Sequence, residues 1–410
     1  MNIQKNKMKK NLLTLVCFIG ILQIVKAQNT WSQKTSMSGM ARMGAVGFSI
    51  GTKGYIGTGG NFNSSEYNDF WEYDSATDSW TQKADFGGAP RYRATGFAVA
   101  SEGYIGTGSG SGQYNDFWVY NPVTNLWTQK ANLGGMGRFG SVSFVIGNKV
   151  YTGTGTSNSG LTTDFWEYDP GLNAWTQIAN FGGLGKIYAT AFSIGSKGYA
   201  GTGVEVGTAP YGTQDFWEYD TTANTWQQKA SLPGIARSEA IGFSIGNYGY
   251  IGTGTNEYGF GAVADVWQYN PTTDSWLQMA DFGGGLREHA AGFVIGCKAY
   301  FGTGFINDDG TTLGNDLWEF DACPSGMEEL SQLNVSFYPN PVKENLIIMT
   351  NDAIKNSRVI IYNSEGKKVF EKNINLSSQK EINVKSMAAG MYFVEVENEK
   401  RKFTEKIIIQ

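Results

Sequence analysis

The sequence predicts an all-β fold, a closed ring of six four-stranded units followed by a small β-sandwich, and three observations predict it. First, the 12 tryptophans of the 410 residues divide into two sets of six. One set follows an aspartate two residues earlier (Trp71, Trp118, Trp166, Trp217, Trp267, Trp318), and the other precedes a glutamine two residues later (Trp31, Trp80, Trp127, Trp175, Trp226, Trp276). Second, each member of the latter set is followed after 11 positions by a basic residue and after a further 13 by a tyrosine. Repetition at 47 to 51 residues marks a repeat architecture. Third, composition shifts near residue 327: the last 80 residues hold no Trp and two of the 55 Gly.

Within each unit four short strands can be read. In the first unit, residues 45–50 end at Gly51-Thr52-Lys53-Gly54, which turns the chain into Tyr55-Ile56. Residues 69–73 alternate with period two, so Phe70 and Glu72 face away from Trp71 and Tyr73, as in a half-buried strand. An Asn/Asp-rich turn such as residues 121–125 then leads to the fourth strand, Trp127-Thr128-Gln129. Four antiparallel strands, with glycines where sheets crowd a common axis, describe the blade of a β-propeller. Each tyrosine opens Tyr-x-Gly-Thr-Gly, and only the segment from there to the aspartate varies in length, from 7 to 11 residues.

The ends of the repeat are complementary. The sixth unit has Asp316-Leu317-Trp318 but no fourth strand, whereas Trp31-Ser32-Gln33-Lys34 is a fourth strand with no unit before it. The N-terminal strand is therefore expected to complete the sixth blade and remove an open edge. If Gly304 lies opposite Asp316 in that blade, the paired indices sum to 620, as do those of Cys297 and Cys323. A disulfide there is geometrically admissible and suits an exported protein.

The Arg, Tyr-x-Gly-Thr-Gly, Asp-x-Trp-x-Tyr and Trp pattern resembles kelch repeats over residues 31–321, with the kelch Gly-Gly pair split here by Thr58, Thr107, Thr154, Thr202, Thr253 and Thr303. The resemblance implies a six-bladed kelch-type propeller. It also implies that Arg42, Arg91, Arg138, Lys186, Arg237 and Arg287 point toward the central channel as a ligand-binding rim able to grip carboxylate or sulfate. The competing reading pairs each with the equally regular aspartate of its own or the next blade. Strand direction places the basic residues, Gly-Thr-Gly and the variable segments at one rim, as on a recognition surface. Residues 61–67, Tyr211, Tyr258 and Phe260 supply aromatic and amide groups suited to glycan or protein.

Composition narrows the chemistry. A single histidine, His289, leaves no way to build a copper or zinc site from several imidazoles, and neither a metal nor a cofactor is expected. Kelch-like copper oxidases are thereby excluded, and the Ser-x-Asp-x-Gly-x-x-Trp boxes of sialidases are missing. An enzyme is the lesser expectation. Were it one, a carbohydrate-active mutarotase- or lyase-like activity would use the arginine ring with Arg287, Glu288, His289 and Glu239 as candidate catalytic groups. Residues 28–330 carry 15 basic and 28 acidic residues, which disfavours nucleic acid as a partner.

Both ends of the chain read as addresses. Lys5, Lys7, Lys9 and Lys10 precede the apolar run 12–22, and Val25-Lys26-Ala27 offers a cleavage point, so residues 1–27 are expected to be a signal peptide, leaving no transmembrane segment. Residues 28–323 are the expected propeller and 324–332 a linker. Residues 333–410, rich in alternating strands, are the expected Ig-like β-sandwich. They resemble the type A C-terminal sorting domain of the type IX secretion system of Bacteroidota. Tyr338-Pro339-Asn340-Pro341, Gly390-Met391-Tyr392 and the final Lys406-Ile407-Ile408-Ile409-Gln410 carry the likeness. That implies the secretion machinery as a partner and a secreted or outer-membrane cell-surface location. The expected function is a binding module for a glycan or protein.

Overall fold

Short runs of aromatic and β-branched residues punctuated by glycine favour strands here, and strands are what form. The computed structural model describes residues 29–61, 65–207, 212–257, 260–306, 310–323, 335–350, 354–363, 366–376, 379–397 and 402–410. The signal segment 1–27, the linker 324–332, and Phe62, Asn63, Ser64, Tyr211 and Tyr258 of the variable segments lie outside the described residues. No helix of the described residues is long and apolar enough to cross a membrane.

The repeat region contains six four-stranded antiparallel sheets. The first is built from Val46–Ile50, Lys53–Gly57, Phe70–Asp74 and Ser79–Gln82, and the next four follow the same order. The first strand of each sheet packs beside that of the next, and Ala291–Ile295 of the sixth returns to Val46–Ile50 of the first. Six buried clusters fill the six gaps between sheets; Phe293 and Tyr300 of the sixth sheet, for example, join Ile56 and Tyr73 of the first. Gly54 shows why glycine sits in the second strand: a Cβ there would lie 2.0 Å from the ring of Phe293.

In the sixth sheet the order is Thr30–Lys34, Leu317–Asp321, Lys298–Gly302, Ala291–Ile295. The N-terminal strand pairs along Leu317–Asp321 from Thr30↔Asp321 to Lys34↔Leu317. Trp31 packs against Phe282, Phe301 and Phe320 at 4.9 to 5.2 Å between ring centroids and donates to the carbonyl of Ala280, just past the last strand of the fifth sheet. The same stitch recurs around the ring, from Trp80 to Thr35, Trp127 to Ala84, Trp175 to Ala131, Trp226 to Ala179 and Trp276 to Ala230.

Cys297 and Cys323 form a disulfide with Cα atoms 5.1 Å apart. The register differs from the expected one: Lys298 lies opposite Asp321 and Gly302 opposite Leu317, so paired indices sum to 619 and Cys297 faces Ala322 rather than Cys323. The extra residue is absorbed past the end of the ladder. There Asp321 Oδ1 accepts the Cys323 amide at 3.1 Å and curls the chain back.

The tail forms two antiparallel sheets. Val335–Tyr338, Asn345–Thr350 and Gln379–Asn383 make one, and Lys368–Leu376, Ile354–Asn363, Gly390–Glu397 and Lys402–Ile409 the other. Their inward residues, including Val342, Leu346, Ile348, Val359, Val394 and Ile407, share one core.

Candidate functional site

The six regular basic residues, expected as a ligand-binding rim, are buried and paired with aspartates. Arg42, Arg91, Arg138, Lys186, Arg237 and Arg287 are 0 to 1 % exposed, and each is held by the aspartate of its own sheet: Asp69, Asp116, Asp164, Asp215, Asp265 and Asp316. The five arginines bind bidentately; Arg138 reaches Asp164 at 2.7 Å through both terminal nitrogens. Each aspartate also accepts its Asp-x-Trp indole, as Asp164 does from Trp166 at 2.7 Å. Burial alone would raise the Asp164 carboxyl, but the bonds from Arg138 and Trp166 outweigh it and hold it below the usual carboxylate range. Asp69, Asp116 and Asp265 behave alike.

Backbone geometry explains why this knot recurs. The carbonyl of each basic residue accepts the second glycine amide of the preceding Gly-Thr-Gly, from Gly59 to Arg91 (2.8 Å) around to Gly304 to Arg42 (2.7 Å). Its side chain meanwhile bonds the threonine carbonyl of its own tripeptide, as Arg42 does to Thr58 at 2.9 Å. One residue therefore joins two sheets. A guanidinium so buried is costly unless every donor is matched, and matching uses up the groups a ligand would need.

The departure from repetition lies two residues further on. Gly44, Arg93, Gly140, Tyr188, Glu239 and His289 occupy equivalent positions, all with φ between 55° and 63°. They ring the axis through backbone bonds. Arg93 donates its amide to Gly44 (2.7 Å), Gly140 to Arg93 (3.0 Å), Tyr188 to Gly140 (3.1 Å), Glu239 to Tyr188 (2.9 Å) and Gly44 to His289 (3.2 Å). Left-handed backbone costs glycine little but an L side chain about 1–2 kcal/mol per residue. Four of the six positions nevertheless carry large polar side chains.

Those four converge. His289 Nε2 contacts Glu239 Oε2 and lies 3.2 Å from Arg93 Nη2, while Arg93 Nη1 bonds the Tyr188 hydroxyl. The guanidinium stacks 4.3 Å from the Tyr188 ring centre and stands 3.5 Å from Glu239 Oε1. They line a cavity of about 120 Å³ floored by small residues such as Ala94, Ser141, Ala189, Ala240 and Ala290. Burial lowers the His289 pKa; Glu239 opposes that shift, Arg93 adds to it, and the imidazole is neutral at pH 7. The cavity thus offers a cation, a carboxylate, a phenol and a neutral imidazole. Its volume is about four times the ~30 Å³ share of a liquid water, room for one functional group of a larger ligand.

Of the candidate catalytic residues, Glu239 and His289 meet here and the other two do not. Arg287 is bound to Asp316, and Glu288 is buried at 3 % exposure, paired through its backbone with Phe305. Arg93 and Tyr188 were not singled out by sequence reasoning. The signal that finds them is the register: two positions past each basic residue, an otherwise repetitive chain changes chemistry in every unit. The variable segments form small hairpins over the same rim, such as Thr156–Ser157 with Gly160–Leu161, which the strand count did not foresee. There Tyr67 and Tyr114 lie over the guanidiniums of Arg42 and Arg91 at 4.9 and 4.2 Å.

Comparison with known proteins adds two findings. Residues 336–410 match the family described as the secretion system C-terminal sorting domain, which indicates export by the type IX system to a secreted or cell-surface location. No curated protein sequence matches the chain. Among solved structures, the one titled "Structure of YjhT" superposes with a TM-score of 0.58 at 17 % identity, covering 69 % of this chain and 95 % of that one. At that identity the likeness speaks for fold alone: the repeat region has a β-propeller-like all-β architecture.

Proposed function

We propose that residues 28–323 form a six-bladed kelch-type propeller closed by its N-terminal strand. It acts as a secreted or cell-surface binding module for a glycan or protein ligand. In this reading residues 1–27 are a signal peptide, 324–332 a linker and 333–410 an Ig-like sorting domain of Bacteroidota type. The observation that carries it is the axial quartet. Arg93, Tyr188, Glu239 and His289 occupy left-handed positions that Gly44 and Gly140 fill without strain, and all four side chains turn to one cavity. Polar chemistry kept against backbone strain argues for a ligand. The ligand sits on the rim beneath the variable segments, with one polar group inserted among the four.

The contact between Glu239 and His289 favours a second reading, a mutarotase- or lyase-like carbohydrate-active enzyme. Two groups able to exchange a proton within hydrogen-bond reach suit acid/base catalysis, and the residues involved would be these rather than the buried arginines. Probing arrayed acidic and neutral glycans with wild type, Arg93→Ala and Glu239→Gln separates the two. Retention without turnover supports the module, whereas turnover abolished by Glu239→Gln supports the enzyme.

A further inference from the structure

The sorting tail carries its three signature segments far apart in sequence, and the fold brings them to one edge of one sheet. Asn340 is the joint. Its Nδ2 donates to the carbonyl of Lys406 at 3.0 Å, and its Oδ1 accepts the amide of Ile408 at 2.9 Å. Val342 continues the contact, donating to Ile408 (2.8 Å) and accepting from Gln410 (2.9 Å), so residues 340–342 lie along the last strand as a short parallel addition. The other flank of that strand pairs with the second segment, Gly390↔Ile409, Met391↔Ile408 and Tyr392↔Ile407. Tyr392 points into the core and fastens to the Ala388 carbonyl at 2.8 Å.

This sheet also presents apolar side chains outward. Met391 and Phe393 are 40 % and 37 % exposed next to one another on the outer face, opposite Ile408 and Lys406. Lys406, opposite Phe393, is exposed and forms no ion pair among the described residues. Residues 331–410 as a whole carry 12 basic against 9 acidic residues. Apolar side chains left out of a well-packed core, beside an unpaired lysine, complement an apolar pocket with an acidic border.

We infer that the type IX machinery reads the folded tail through this composite surface: Met391 and Phe393 are the apolar anchors, Lys406 the electrostatic contact, and Asn340 a positioning residue that holds the last strand in place. The inference rests on the sorting function of residues 336–410 and specifies where it resides. It makes the signal conformational: a linear peptide carrying any one segment lacks the other two.

The test measures the exported fraction of the full chain in a host with a type IX system, with the melting temperature of each purified variant recorded alongside. Met391→Ser/Phe393→Ser and Lys406→Glu should each lower export roughly tenfold, the loss expected when about 1.4 kcal/mol of recognition is removed. Asn340→Ala should do so by unseating the last strand. Met349→Ser is the control, since Met349 is equally exposed at 38 % but lies on the other sheet, and it should export as wild type. Wild-type export of the Met391/Phe393 and Lys406 variants overturns the inference, as does an equal loss with Met349→Ser. Deleting residues 333–410 separates the levels. If deletion traps the protein while the surface variants pass, only the assigned surface is wrong; if the deleted protein is also released, the sorting reading fails with it.

Discussion

His289 sits where burial and Arg93 both oppose its protonation, and this fixes the sign of its pH dependence. Its folded pKa lies below the unfolded value of about 6.5, so the unfolded chain binds the proton more readily. The stability associated with the neutral ring is complete above that pH and is lost as pH falls through the folded pKa. His289→Gln should flatten the thermal-stability profile on the acid side of about pH 6.5; a profile unchanged by the substitution contradicts a buried neutral imidazole. Four of the aspartates paired with the regular basic residues act lower. Asp69, Asp116, Asp164 and Asp265 have depressed pKa values, so their contribution is full above the ordinary aspartate range near 3.9 and disappears as pH falls below it. Arg138→Ala leaves Asp164 without its cation and should cost about 3–5 kcal/mol, read as a fall in denaturation midpoint. If that variant is fully stable yet loses a ligand, the arginines serve binding after all. Glu239→Gly tests strain in the opposite direction, with a backbone gain of about 1 kcal/mol and loss of any ligand.

The closing strand is the element on which the ring depends. Removing residues 28–40 exposes the edge of Leu317–Asp321 and uncovers Phe282, Phe301 and Phe320, which Trp31 now covers. Loss of the tryptophan contacts alone is worth about 3–5 kcal/mol, so the shortened chain should melt well below wild type; equal melting temperatures contradict closure by this strand. The strand order was legible because the two tryptophan sets and the glycine turns repeat without slippage. The disulfide partners were legible too, although the reason offered was one residue out of register, because an Asx turn at Asp321 lies beyond any ladder rule. The rim hairpins were not, since their pairing depends on residues that differ from unit to unit. Nor was the fate of the arginines: spacing alone pairs Arg42 with either an axial ligand or Asp69, and only the burial of the guanidinium decides. Arg93 and Tyr188 were obscured because neither belongs to the repeated motif, and their meeting with Glu239 and His289 requires four sheets to close around an axis.

At the level of the molecule, an acidic body and a basic tail perform separate tasks. Fourteen of the fifteen Lys and Arg of residues 28–330 are engaged in internal ion pairs, which leaves the excess acid to set the field of the repeat region. A net-acidic body of this kind repels anions at long range, and the Arg93 guanidinium on the axis is itself paired with Glu239. Fold and export are thus fixed by parts of the sequence that repeat or match a family, and the proposed recognition rests on positions that do neither. The most direct measurement is glycan-array binding by wild type beside Arg93→Ala and Glu239→Gln, each with its melting temperature. A ligand held by wild type and weakened at least about tenfold in both variants at unchanged stability is the predicted result, the scale of one lost charged hydrogen bond. A ligand held equally by all three proteins would contradict the axial cavity as the site of recognition.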